Sequence, residues 1–182
     1  GGAKGYEDVV VVTLGTGVGG GIIINGKMVA GATGAAGEIG HMHVNDDETE
    51  PCNCGNCGCL EEYVSATGIV RMAKRKLAED DRPSLMRKDV WDAVKAGDTV
   101  AIEVAEDFGW YLGKAMALVA NVSNPEIFVI GGGVSKAGNV LLDYIQKYYQ
   151  KHAFKGCRGA LFTLATLGND AGIYGAARLV LK

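Results

Sequence analysis

Proline is nearly missing from this sequence, three residues in 182, and long apolar runs are missing altogether. The first absence excludes collagen-like and proline-rich linker architectures. The second excludes a membrane-spanning helix, which needs roughly 18 or more consecutive apolar residues; nor does a charged-then-apolar leader open the chain. Positive charge is not in excess either. Eighteen Lys and Arg stand against 21 Asp and Glu, a formal net charge of −3, so no nucleic-acid partner is expected. Disorder is excluded by the 48 % hydrophobic content, which with 21 % charged residues describes a soluble globular chain with a sizeable core. At this length one ordinary domain, or at most two small ones, is expected.

What the sequence has in excess is glycine. Its 28 residues are about twice the usual ~7 %, and without proline beside them they indicate tight turns and close backbone approaches. The five cysteines are unevenly spread: Cys52, Cys54, Cys57 and Cys59 fall within eight residues, and Cys157 is alone. Such crowding without a secretory leader reads as a metal site in a reducing, cytoplasmic compartment. No Met opens the chain, and a strand-like run follows Gly5 almost at once. The expectation is a chain cut from something longer, or processed.

Residues 8–14 (DVVVVTL) form a β-branched run of central-strand character. Glycine-rich residues 15–21 follow as a turn, and Ile22, Ile23 and Ile24 start a second strand. Asn25-Gly26 is the favoured two-residue hairpin turn, returning a third strand over 27–30. Helical patterns occupy 61–79, 91–96 and 99–121, the last with Asp98 as N-cap; residues 80–88, with Pro83, read as an exposed connection. A buried strand at 125–131 runs into Gly131-Gly132-Gly133 and then a helix carrying Leu141, Leu142, Ile145 and Tyr149. A last strand at 160–165 precedes a helix over 171–181, capped by Gly168-Asn169-Asp170. This order predicts an α/β layer with a mixed sheet.

Gly15, Gly17 and Gly20 satisfy the spacing of a dinucleotide fingerprint, but that motif needs a helix after the glycines. Here a hairpin follows, so the dinucleotide reading fails. A turn remains whose N–H groups, with the Thr16 hydroxyl, can cradle a phosphate; the plain alternative is a glycine-rich hairpin without a ligand. In the cysteine cluster, His41 and His43 join Cys52, Cys54, Cys57 and Cys59 as six candidate ligands, where tetrahedral Zn²⁺ takes four. Spacing does not choose between four cysteines and one histidine with three. Enough protein ligands exist to close the site, which favours a structural metal. Glu38, His41 and Glu61 flank this loop, and two carboxylates with an imidazole suit a polyol ligand. The plain alternative is that Glu38 and Glu61 are solvated, Glu61 as an acid in a first helical turn.

Several segments together resemble one family. TLGTGVGGGIIING (13–26), GAAGEIGHM (34–42), CNCGNCGCLEE (52–62), PEIFVIGGGVS (125–135) and LGNDAGIYGAA (167–177) are similar, in order, to the ROK sugar kinases (repressor, open reading frame, kinase), most closely the bacterial glucokinases. The resemblance implies an actin-like ATPase (ribonuclease H-like) lobe with a mixed sheet, flanking helices and a zinc-bearing loop. Residues 1–182 would be the C-terminal, larger lobe of a two-lobed kinase whose N-terminal lobe is absent from this chain. Structural Zn²⁺ would be held by His41, Cys52, Cys54 and Cys59, with Cys57 a spectator unless four cysteines ligate. Glu38, His41 and Glu61 would hold sugar hydroxyls, His41 serving twice through its two ring nitrogens. Gly15, Thr16 and Gly17 would line the phosphates of ATP with Mg²⁺, and Gly131, Gly132 and Gly133 would approach the adenosine.

The chain departs from the family in one respect. An Asp-x-Gly-Gly-Thr type phosphate turn and the Asn-Asp pair whose Asp acts as general base are not in it, and are expected upstream of Gly1. The parent would transfer the ATP γ-phosphoryl group to the 6-hydroxyl of glucose; this chain alone is expected to be inactive. Alternatives are an N-acetylmannosamine or other hexose kinase, and the sugar-sensing body of a ROK-type transcriptional repressor. A homodimer or tetramer is implied.

Overall fold

A computed structural model describes residues 1–79 and 90–168. The connection expected over 80–88 and the C-terminal helix with its Asn169-Asp170 cap lie outside them. Among the described residues five strands form one mixed sheet in the order β3-β2-β1-β4-β5. They are β1 (Val9–Leu14), β2 (Val18–Ile24), β3 (Lys27–Met28), β4 (Ile127–Gly131) and β5 (Leu161–Leu164). β1 pairs antiparallel with β2 and parallel with β4, and β5 pairs parallel with β4. The parallel pair β1–β4 is possible because a long, mostly helical crossover lies between the two strands in sequence.

The helices are α1 (Glu61–Val64), α2 (Ala66–Glu79), α3 (Val90–Lys95), α4 (Thr99–Ser123) and α5 (Asn139–His152). α4 starts as its sequence predicts: the Asp98 side chain accepts the Ala101 N–H at 2.9 Å, satisfying one donor of the first turn. One face of the sheet, with Val10, Val12, Leu14, Phe128 and Ile130, packs under α4 and α5 in the main core with Phe108, Leu112, Ile145 and Tyr149. The opposite face carries Val9, Ile127 and Val129, joined by Ala3 and Tyr6. The alternation of the two sets along β1 follows from the two-residue period of a strand.

Three expectations on element bounds need correction. The second strand begins at Val18, not Ile22: Gly19, Gly20 and Gly21 pair with Thr13, Val12 and Val11, since extended glycine supplies the same ladder groups as any residue. The turn therefore shrinks to residues 15–17. The third strand is only Lys27–Met28, although the Asn25-Gly26 turn has positive φ at both residues, as its hairpin requires. The helix expected over 61–79 is two helices. Ser65 is extended at φ −72°, ψ 165°, and its hydroxyl accepts the Gly68 N–H at 3.0 Å, capping α2 from inside the apolar pattern.

Candidate functional site

Cys59 lies two residues before the start of α1, and antiparallel bridges between His43 and Cys59 and between Pro51 and Cys57 fold the cysteine loop back on itself. This brings one ligand atom each from His41, Cys52, Cys54 and Cys59 within 4.8 Å of one another. The Sγ atoms of Cys54 and Cys59 are 3.6 Å apart, and Cys52 Sγ is 3.8 Å from His41 Nδ1. A tetrahedron with Zn–S near 2.3 Å has edges of about 3.8 Å, so these spacings fit a closed tetrahedral site. Cys57 turns away, its Sγ 3.6 Å from the Thr49 carbonyl oxygen.

Cys52 and Cys59 are buried, and burial raises both thiols, Cys59 to about 12. Cys54 is held below the ordinary thiol range by the backbone N–H of Asn56. Two buried sulfurs that resist ionisation on their own are not reactive thiols, and a bound divalent metal would be needed to draw off their protons.

His41 joins this cluster to a more open surface. While Nδ1 faces Cys52, Nε2 lies 4.0 Å from Glu38 Oε2, and the Glu38 side chain is exposed. The two ring nitrogens thus look at different chemistry. Glu61, in the first turn of α1, approaches Cys52 within 4.8 Å, and its Oε2 accepts the Val18 N–H at 2.8 Å. Glu38, His41, Cys52 and Glu61 therefore form a continuous chain of polar groups. Glu61 is no merely solvated helix-start residue, because it pins the start of β2.

The two glycine turns lie together at the carboxyl ends of the parallel strands β1 and β4, the end at which open α/β sheets bind ligands. Gly17 lies against Glu61: a Cβ there would fall 2.4 Å from Glu61 Oε2 and push that carboxylate aside. Gly132 is required twice over, by φ 86° and by the Leu14 carbonyl oxygen 2.3 Å from where a Cβ would stand. Gly131 lies against Ala165, whereas Gly133 faces open space. Of the three, Gly131 is buried, Gly132 lies against the end of β1, and Gly133 alone leaves room for a side chain.

With this geometry in view, comparison with known proteins is decisive. The ROK family model matches residues 1–182. The chain belongs to the ROK family. It is 46 % identical over 191 residues to a glucokinase of Halalkalibacterium halodurans, covering 99 % of this chain and 58 % of that protein. It is 34 % identical over 187 residues to the Escherichia coli transcriptional regulator NagC, covering 100 % of this chain and 46 % of the regulator. Among solved structures, a ROK family glucokinase from Streptomyces griseus in complex with glucose and AMPPNP matches with a TM-score of 0.86 at 36 % identity, over 97 % of this chain and 61 % of that one. The chain thus spans about three-fifths of the kinases it matches. Its mixed sheet is the actin-like ATPase fold of ROK glucokinases. Among the described residues, no helix is long and apolar enough to cross a membrane.

In this ROK chain the structure also brings forward residues that sequence reasoning passed over. Glu48, buried, receives Arg75 Nη1 at 3.0 Å, Arg71 Nη2 at 3.2 Å and the Tyr63 hydroxyl at 2.9 Å. Arg75 above all holds its carboxyl down, to about 2. Arg71 also reaches Glu62 at 2.9 Å, and Tyr63 stacks on Tyr111 with ring centroids 4.0 Å apart. The network fastens the segment leading into the cysteine loop to α1 and α2. The one available signal was Arg71 and Arg75, four apart on α2, opposite the acidic stretch 46–50.

Proposed function

We propose that this chain is the sugar- and metal-bearing lobe of an ATP-dependent hexose kinase, which transfers the γ-phosphoryl group of ATP to the 6-hydroxyl of glucose. The observation that carries the reading is the divided imidazole of His41, Nδ1 toward Cys52 and Nε2 toward Glu38, with Glu61 adjoining both the thiol cluster and the phosphate turn. A cluster that merely stabilised a loop would have no use for the two flanking carboxylates.

In this reading His41, Cys52, Cys54 and Cys59 hold structural Zn²⁺ in a reducing, cytoplasmic setting. The metal fixes the loop and the tautomer of His41. Glu38 and Glu61 accept hydrogen bonds from sugar hydroxyls, and His41 Nε2 faces the same ligand. The N–H groups of residues 15–17 meet the phosphates of Mg²⁺-ATP, and the 131–133 turn borders the adenosine. Positioned acceptor and donor leave one task, removal of the 6-hydroxyl proton, which the reading assigns to an Asp in an upstream lobe. The partial coverage of the kinase relatives supports that division.

The relationship to NagC supports a second reading, a sugar-binding body without turnover. The test is ADP release in a coupled assay with glucose, mannose and N-acetylmannosamine. It is run on this chain and on the chain extended upstream to the length of its kinase relatives. Turnover by the extended chain alone, with glucose preferred, is expected. Preference for N-acetylmannosamine would redirect the reading to an amino-sugar kinase. Sugar binding by the extended chain without any ADP release would replace it by the sensor.

A further inference from the structure

The junction of α1 and α2 touches the phosphate turn through a directed series of hydrogen bonds. The Gly68 N–H donates to Ser65 Oγ at 3.0 Å, Ser65 Oγ lies 3.0 Å from Thr67 Oγ1, and the Thr67 hydroxyl donates to the Thr16 carbonyl oxygen at 2.9 Å. A hydroxyl has one proton. That of Thr67 is committed to Thr16, so that of Ser65 points to Thr67, and every bond in the series runs toward the turn. Beside it, the Ala66 N–H donates to the Gly15 carbonyl oxygen at 2.8 Å.

The consequence follows from the peptide unit. Among the described residues there are no cis peptide bonds, and in a trans peptide the C=O and the next N–H point in opposite directions. Drawing the Gly15 and Thr16 carbonyls toward α2 therefore turns the Thr16 and Gly17 N–H groups away from it. Among the described residues neither of these N–H groups makes a hydrogen bond. They are two consecutive donors of the kind that enclose an anion.

We infer that Ser65 and Thr67 are positioning residues for the phosphates, holding the 15–17 turn with its N–H groups outward without touching the nucleotide themselves. The inference rests on the kinase reading for the identity of the anion, a nucleoside triphosphate. Thr67 is exposed, so replacing it leaves the core intact.

Binding of AMPPNP and of inorganic tripolyphosphate, each with Mg²⁺, is to be measured by calorimetry on the full-length protein and its Thr67→Val and Thr67→Ser variants. Loss of one oriented hydroxyl is expected to weaken both ligands about tenfold in Thr67→Val. Thr67→Ser, which keeps the hydroxyl, should bind as the wild type does. Hexose affinity and zinc content should not change in either variant. In ¹⁵N-labelled wild type, tripolyphosphate should shift the Thr16 and Gly17 amide resonances. Wild-type affinity in Thr67→Val, or unshifted Thr16 and Gly17 amides in the wild type, would overturn the inference. Absence of ADP release with every hexose would instead sink the kinase reading alone, because these binding measurements need no turnover.

Discussion

Glu61 accepts the backbone N–H of Val18 across 43 residues of sequence, at 2.8 Å. The bond joins α1, which begins two residues after a member of the thiol cluster, to the first residue of β2, which leaves the 15–17 glycine turn. In the proposed kinase, the carboxylate assigned to sugar hydroxyls would thus already be oriented by the strand that follows the turn assigned to the phosphates.

Gly17→Ala should separate stability from binding. The new methyl would meet only the far end of a flexible side chain, Glu61 Oε2, so displacement of that carboxylate should cost no more than about 1 kcal/mol. Thermal unfolding should change by a few degrees at most, while hexose affinity measured by calorimetry falls about tenfold or more. Wild-type hexose affinity would show that Glu61 does not need its bond to Val18.

Metal content should distinguish Cys54 from Cys57. Cys54→Ala removes a sulfur 3.6 Å from Cys59 Sγ and should lose zinc and hexose binding together. Cys57→Ser alters a side chain directed at Thr49 and should retain both. The check is bound zinc per chain after dialysis, with hexose titration of the same samples. Equal metal loss in the two variants would exclude His41 as the fourth ligand.

The Glu48 network predicts an acid limb in stability. The folded-state pKa of Glu48, about 2, lies below its ordinary 4.5, so its contribution is fully present above about pH 4.5 and is lost as pH falls toward 2. With the side chain only 4 % exposed, that contribution is roughly 3 kcal/mol. Denaturant unfolding of Glu48→Gln should therefore show a deficit of this order at neutral pH, shrinking steadily from pH 5 to pH 2. A deficit independent of pH would mean that packing, not charge, is what the substitution removes.

The strands of the sheet, the Asp98 cap and the α4 and α5 helices were legible because each is written in local pattern: β-branched runs, a capping acid, a 3.6-residue period. The candidate ligands were legible as a set, but spacing left His41 and Cys57 level, since only the folded loop directs Cys57 toward Thr49. Ser65 was hidden for another reason. It sits in a sequence whose apolar period continues on both sides, and the break depends on a hydroxyl finding a backbone N–H. Glu48 was hidden because its partners lie 15 to 27 residues away, and no local rule pairs an acid with Tyr63, Arg71 and Arg75.

The helix break at Ser65 also sets a tolerance in chain length. The nine residues from Cys59 to Thr67 reach the thiol cluster, Val18, Gly15 and Thr16 in succession. One residue inserted between Cys59 and Glu61 would rotate α1 by about 100° and swing its carboxylate off β2. A single substitution along this stretch disturbs one of these contacts, whereas a change in its length would displace all of them together, so the interval between these residues constrains the site more strictly than any one of them.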